Sequence, residues 1–162
     1  MKELIFDEEK AKYLFYYFKK NSILKVLSLA DLVELFESSP LQEYDNGEYL
    51  IKQGALDDLM FILLSGELEI IRDKTVINTL DRIGEVIGEM RLISSEKRSA
   101  SVRAKGRVEC LAINTSYLDG HRTNPKSVLF YIFSRILADR LKKKNQELAD
   151  ARNEIKRLKK KK

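Results

Sequence analysis

The sequence predicts a mainly β chain of the α+β class: short strands folded as a sandwich or jelly-roll barrel, helices before them, and one long helix after them. Three observations predict it. Between Leu41 and Asn114, strand-like runs recur at intervals of about 8 to 12 residues and are separated by residue pairs that can turn the chain. The segment from Glu8 to Lys20 is dense in aromatic and aliphatic residues and lacks Gly and Pro. Past Pro125 no breaker interrupts a helical pattern as far as Lys162.

Taken in order, residues 1–40 read as an N-terminal helical segment. "EKAKYLFYYFKK" is expected to be a helix packed on something. "LADLVELFES" is expected to be a second, capped near Ser28, whose hydroxyl can accept from free backbone N–H groups, and ended before Pro40. Residues 41–114 read as strands. "LQEYDNGEYLIKQGALDDLMFILLSGELEIIRD" holds three strand-like runs broken at Asn46-Gly47, Gly54 and Ser65-Gly66, and "RSASVRAKGRVECLAIN" has Lys105-Gly106 as an expected hairpin tip. Residues 115–162 return to helical periodicity. There Leu141, Leu148 and Ile155 recur every seven residues, with Leu137, Ala151 and Leu158 offset from them, a seam of about three heptads interrupted by Lys144. We read this seam as a parallel helix pair joining two subunits, in preference to a single helix lying back on the barrel.

Composition narrows the function. With 162 residues, 44% hydrophobic and 34% charged, the chain has room for one core and a solvated appendage. Its single cysteine, Cys110, lies in the apolar run "VECLAI" and is expected to be a reduced core thiol in a cytoplasmic protein. No apolar run approaches the roughly 20 residues of a membrane span, and the acids of "MKELIFDEEKAKYLF" are unlike a secretion signal. From Arg140 to Lys162 eleven Lys and Arg face three Asp and Glu, a net +8 that leaves −3 on residues 1–139 of the total +5. An acidic body with a basic tail is not the profile of a folded nucleic-acid-binding surface, and membrane attachment through the tail is not expected.

The stretch "IGEMRLISSEKRSASV" carries the chemistry. A Gly-led turn into a short helix leaves backbone N–H groups and a partial positive charge facing outward, which suits a phosphate. Gly88 lets the chain turn, and the N–H groups from Glu89 to Arg91 are expected to point at the anion. The Glu89 carboxylate would repel that anion, so it is expected to face a donor on the same ligand, such as a ribose hydroxyl. Arg98 brings a planar fork that can bond two phosphate oxygens, and Ser99 and Ala100 are small enough for their N–H groups to reach the same group. No nucleophile lies beside a base here, so no enzyme is expected. The one histidine, His121, cannot supply a metal site of the kind that jelly-roll metalloenzymes build from two or three.

This stretch resembles the phosphate-binding cassette of the cyclic-nucleotide-binding domains, the type found in catabolite activator protein and protein kinase A regulatory subunits. In that family the pattern is F-G-E-[LM]-A-x(7)-R-[AST]-A. Here Ile87-Gly88-Glu89-Met90-Arg91 is followed, seven residues on, by Arg98-Ser99-Ala100. Gly47, Glu48, Ile51, Gly54, Gly66 and Glu67 fall where the family has its turn glycines and their companions. The resemblance implies an eight-stranded jelly-roll barrel with its cassette at 87–102, flanked by N-terminal helices and followed by a hinge helix and a long helix. It also implies that Glu89 accepts from the ribose 2′-OH and that Arg98 pairs with the cyclic phosphate. Gly88, Met90, Arg91 and Ala100 would contribute backbone N–H groups, Ser99 its hydroxyl as well, and Val102 and Ile71 would touch the base.

Two positions depart from the pattern. Arg91 replaces a small residue beside the phosphate, where its side chain would either crowd the pocket or add to anion affinity, and Ile87 replaces Phe. By the same resemblance Lys144 and Asn145 lie near the place where the long helix caps the base. The implied ligand is cAMP, with cGMP as the alternative, because a hydroxyl directly after the Arg, here Ser99, can favour guanine yet also occurs in cAMP binders. The expected partners are a second copy of the chain, through the long helix, and a further protein. Specific DNA binding is not expected, since only 20 residues follow Lys142. The competing expectation is a barrel that has kept this fold without a ligand and serves as an interaction or dimerisation module.

Overall fold

The computed structural model describes residues 2–4, 12–16, 39–92, 94, 96–115 and 125–160. It divides into two compact units, Met1–Lys126 and Ser127–Lys162. The expected second helix at 29–38, the cap at Ser28, and His121 lie outside the described residues, whereas 12–16 is helical as expected.

The first unit is an antiparallel sheet of β1 (Lys2–Leu4), β2 (Leu41–Tyr44), β3 (Tyr49–Ile51), β4 (Leu59–Arg72), β5 (Thr75–Leu80), β6 (Val86–Ile87) and β7 (Ser101–Asn114). Its order is β1-β2-β7-β4-β5, with β3 on β7 and β6 on β4. The expected closed barrel of eight strands is therefore corrected. Among the described residues, 41–114 contribute six strands, β1 adds a seventh at the edge, and the sheet does not close on itself.

The shortfall has a physical cause. Ser65-Gly66 and Lys105-Gly106, expected to reverse the chain, lie inside two 14-residue strands. Both glycines adopt positive φ, +90° and +76°, but the conformation serves a bulge: Ser65 faces Glu109 while Glu67 faces Lys105, so four residues of β7 are spanned by two of β4. In β4 the side-chain alternation flips at the adjoining irregularity, where Leu63 faces Cys110 and Ser65 faces Glu109, so β4 carries one residue more than β7. Before Gly66 the core residues are Phe61 and Leu63, and after it they are Leu68 and the partly buried Ile70. Odd positions point inward on one side and even positions on the other, so one bent strand keeps a single core.

That core also takes Tyr44, Ile51, Ile87, Val102, Val108 and Cys110. Phe61 is fully buried and meets Tyr44 edge-on, with ring centroids 6.2 Å apart, a burial worth about 1.5–3 kcal/mol. Cys110 is buried as expected, and burial pushes its thiol well above the usual range. Met60, Ile62, Leu64 and Leu111 are buried too. They alternate with the core set, so the opposite face of the sheet is also covered. β5 differs, since it ends the sheet order and five of its six residues are exposed. It joins β4 through Asp73 and Lys74, both at positive φ as a two-residue hairpin demands.

From Ser127 the second unit is formed by the helix Pro125–Lys160, which at about 1.5 Å per residue is roughly 54 Å long. Leu141, Leu148, Ile155 and Leu158 are exposed on it. Lys144 donates from Nζ to Glu147 Oε2 at 2.7 Å, and Asn145 is exposed.

Candidate functional site

Three segments meet at one corner of the first unit. β6 ends at Ile87, opposite Phe61 of β4, and delivers Gly88 beside the start of β4. Gly88 adopts φ +80°, and a Cβ there would stand 2.9 Å from Arg98 Nη1 and 3.0 Å from both Ile51 Cδ1 and the Leu59 carbonyl oxygen. Only glycine fits without displacing the arginine. The chain then makes a 3-10 turn over Glu89–Leu92, as the Gly-led turn predicted.

Arg98 is fixed at both ends. Its backbone N–H donates to the Ala55 carbonyl at 3.0 Å, and its own carbonyl accepts from Gly54 N–H at 2.9 Å. Its side chain is 6% exposed. Nη1 donates to the Gly88 carbonyl at 3.0 Å, Nε to Asp57 Oδ2 at 3.3 Å, and Nη2 to Asp57 Oδ1 and the Leu59 carbonyl. Burial pushes the Asp57 carboxyl up, but the hydrogen bond and charge of Arg98, the Leu59 N–H and the charge of Arg91 outweigh it, so the group sits below the usual carboxylate range.

Arg91 does not crowd this corner. Its Nε donates to Asp58 Oδ1 at 2.6 Å, and its backbone N–H donates to the Gly88 carbonyl at 3.2 Å. Asp58 is itself tied down, its carbonyl accepting from Thr115 N–H at 2.8 Å and Thr115 Oγ1 at 3.0 Å. Two neighbouring aspartates thus hold two arginines. Neither aspartate was singled out in the sequence, where "ALDDLM" reads as an acidic turn before an apolar run.

The other candidates divide in two. Glu89 is buried, at 7% exposure, directly after the glycine whose carbonyl Arg98 binds. Ser99 is exposed and Ala100 partly buried, and among the described residues no acceptor meets either N–H. Met90 is half exposed, while Val102 and Ile71 are buried near the start of β7, Val102 opposite Ile51 and Ile71 opposite Ser101. Lys144 and Asn145 belong to the second unit. Among the described residues no cluster of three His, Cys, Asp or Glu is arranged for a metal, and no helix is long and apolar enough to cross a membrane.

Known proteins resemble the chain in sequence and fold. Residues 41–120 match the family model of the cyclic nucleotide-binding domain. The chain is 32% identical over 115 residues to cGMP-dependent protein kinase 2 of Mus musculus, covering 67% of this chain and 14% of the kinase. It is 34% identical over 84 residues to the cAMP-dependent protein kinase regulatory subunit of Mycosarcoma maydis, covering 49% of this chain and 16% of that protein. The match thus spans about a seventh of each of these relatives. The Thermus thermophilus catabolite activator protein superposes with a TM-score of 0.65 at 26% identity, over 78% of this chain and 61% of that one. A second protein, described as PKAR CBD2 bound to Sp-2Cl-cAMPS, shares the fold with a TM-score of 0.66 at 22% identity, over 85% of this chain and 91% of that one. Through residues 41–120 the chain belongs to the cyclic nucleotide-binding domain family.

Proposed function

We propose that this chain is a cyclic-nucleotide sensor of the cytoplasm. It takes cAMP, with cGMP as the alternative, at the corner of Gly88, Glu89 and Arg98, and relays binding through the long helix to a second copy of the chain or to a protein partner. One observation carries the reading: a carboxylate and a guanidinium of opposite charge are both buried on either side of the Gly88 carbonyl, in the cassette spacing. Asp57 already charge-pairs Arg98, so it is the spacing of the two groups about Gly88 that supports the reading. Glu89 would accept from the ribose 2′-OH, and Arg98 would meet the cyclic phosphate beside the N–H groups of Gly88, Met90 and Ala100 and the Ser99 hydroxyl; the Arg91 N–H, expected there too, donates to the Gly88 carbonyl. Val102 and Ile71 would line the base. The similarity to kinases named for cGMP and for cAMP supports a cyclic nucleotide and leaves the base to experiment.

The sensor works by differential affinity, since a nucleotide that binds one arrangement of cassette and helix more tightly shifts the population toward it. A second reading, a ligand-free interaction module, has its own observation: Asp57, Gly88 and Leu59 already take most of the Arg98 donors. Calorimetry with cAMP and cGMP on the wild type and Arg98→Ala separates the two. The sensor predicts binding that Arg98→Ala weakens by about 2–5 kcal/mol, the loss typical of a buried charge partner. Equal affinity in both proteins removes Arg98 as the clamp, and no heat or thermal shift with either nucleotide leaves the module.

A further inference from the structure

Arg91 has spare donors where Arg98 has nearly none. A guanidinium carries five N–H groups. Four protein acceptor contacts engage Arg98 through Nε, Nη1 and Nη2. Arg91 uses its side chain once among the described residues, through Nε to Asp58, and its Nη1 is buried with no acceptor. A buried donor without a partner is rare in folded proteins and needs an explanation.

We infer that the Arg91 guanidinium is a second anion ligand of the cassette, held at Nε by Asp58 so that Nη1 remains for a phosphate oxygen of the nucleotide. The inference rests on the cyclic-nucleotide reading and extends it to a side chain whose position the family pattern leaves to a small residue. Three observations carry it. Arg91 sits on the same 3-10 turn as Glu89, and the Gly88 carbonyl accepts from both the Arg91 N–H and Arg98 Nη1, so the two arginines share one anchor. The Asp58 pair is short, and Asp58 is pinned by Thr115, so the fork is oriented before any ligand arrives. Charge points the same way: Asp57, Asp58 and Glu89 would leave Arg98 alone against three carboxylates, a corner hostile to a phosphate. Arg91 offsets one of them, and its partner Asp58 is the chain neighbour of the Asp57 that holds Arg98.

Calorimetric titration of the full chain with cAMP and cGMP tests this with three variants. Arg91→Ala, and Arg91→Gln, which keeps the stem, are each expected to bind about 10- to 100-fold more weakly, the range of a charged hydrogen bond. Asp58→Asn is expected to bind within about threefold of wild type or more tightly, since it removes a carboxylate and leaves the phosphate its donor. Wild-type affinity in both Arg91 variants overturns the inference. So does an equal loss in Asp58→Asn and Arg91→Gln, because Arg91 would then act only as a brace for the turn. If Arg98→Ala loses binding while the Arg91 variants keep it, the sensor stands and this assignment falls. If the wild type binds neither nucleotide, both fall.

Discussion

Replacing Gly66 by alanine isolates the bulge that bends β4. At φ +90° a residue with a Cβ is strained by about 1–2 kcal/mol. The added methyl would fall on the Arg107 carbonyl oxygen, well inside contact distance, and stand 2.9 Å from Val108 Cγ2 and 3.0 Å from Val108 Cα. Those atoms belong to the facing strand and cannot swing aside, so overpacking adds about 1–3 kcal/mol. The stiffer unfolded chain returns about 0.4–1 kcal/mol, and the net loss is on the order of 2–4 kcal/mol. Gly106→Ala is the control. It shares the positive φ, at +76°, but has nothing within 4 Å of its Cβ, so strain alone predicts a loss of about 0.5–1 kcal/mol. Urea unfolding, followed by near-ultraviolet circular dichroism from Tyr44 in the core, reads the difference. For a slope of about 2 kcal/mol/M the midpoints fall by about 1–2 M and by less than about 0.5 M. Equal shifts in the two variants would show that the two strands do not meet there as described.

Two further outcomes follow from the site and the helix. Because Asp57 titrates below the usual carboxylate range, its pairing contributes stability above the unfolded pKa that is lost as pH falls through the folded one. Thermal melts of the wild type should therefore drop as pH goes below about 4, with a shallower acid limb in Asp57→Asn; superimposable limbs would argue against the Asp57–Arg98 pair. If the long helix pairs two chains, Leu148→Glu removes an apolar contact from both and should weaken the dimer by about 100-fold or more in sedimentation equilibrium. A monomeric wild type would refute the pairing.

The Gly-led turn at 88–92 was legible because its constraint is local. Gly88 needs its backbone freedom, and Glu89 and Arg98 sit at a spacing that one turn can close. Asp57 and Asp58 were not legible, because they meet Arg98 and Arg91 across 41 and 33 residues of sequence, and two acids before an apolar run look the same in any exposed turn. The strand count failed for a related reason. A positive φ reverses a hairpin or only kinks a strand, and the partner strand decides which: Asp73-Lys74 reverses the chain between β4 and β5, whereas Gly47 lies between β2 and β3, which follow one another along β7, and Gly66 and Gly106 have β7 and β4 running past them. Helical periodicity gave the long helix its length, since nothing non-local is needed to form it.

The β5 edge has a consequence for any measurement of self-association. Thr75–Leu80 contains no charged residue and no proline, and Val76 and Ile77 stand exposed at the end of the sheet. Among the described residues such a margin has no further strand beside it and offers peptide groups to a second molecule, the route by which sheets zip together at high concentration. An aggregate built that way would persist in Leu148→Glu and would vanish on placing a lysine at Ile77, so the pair of substitutions tells orderly helix pairing from sheet stacking.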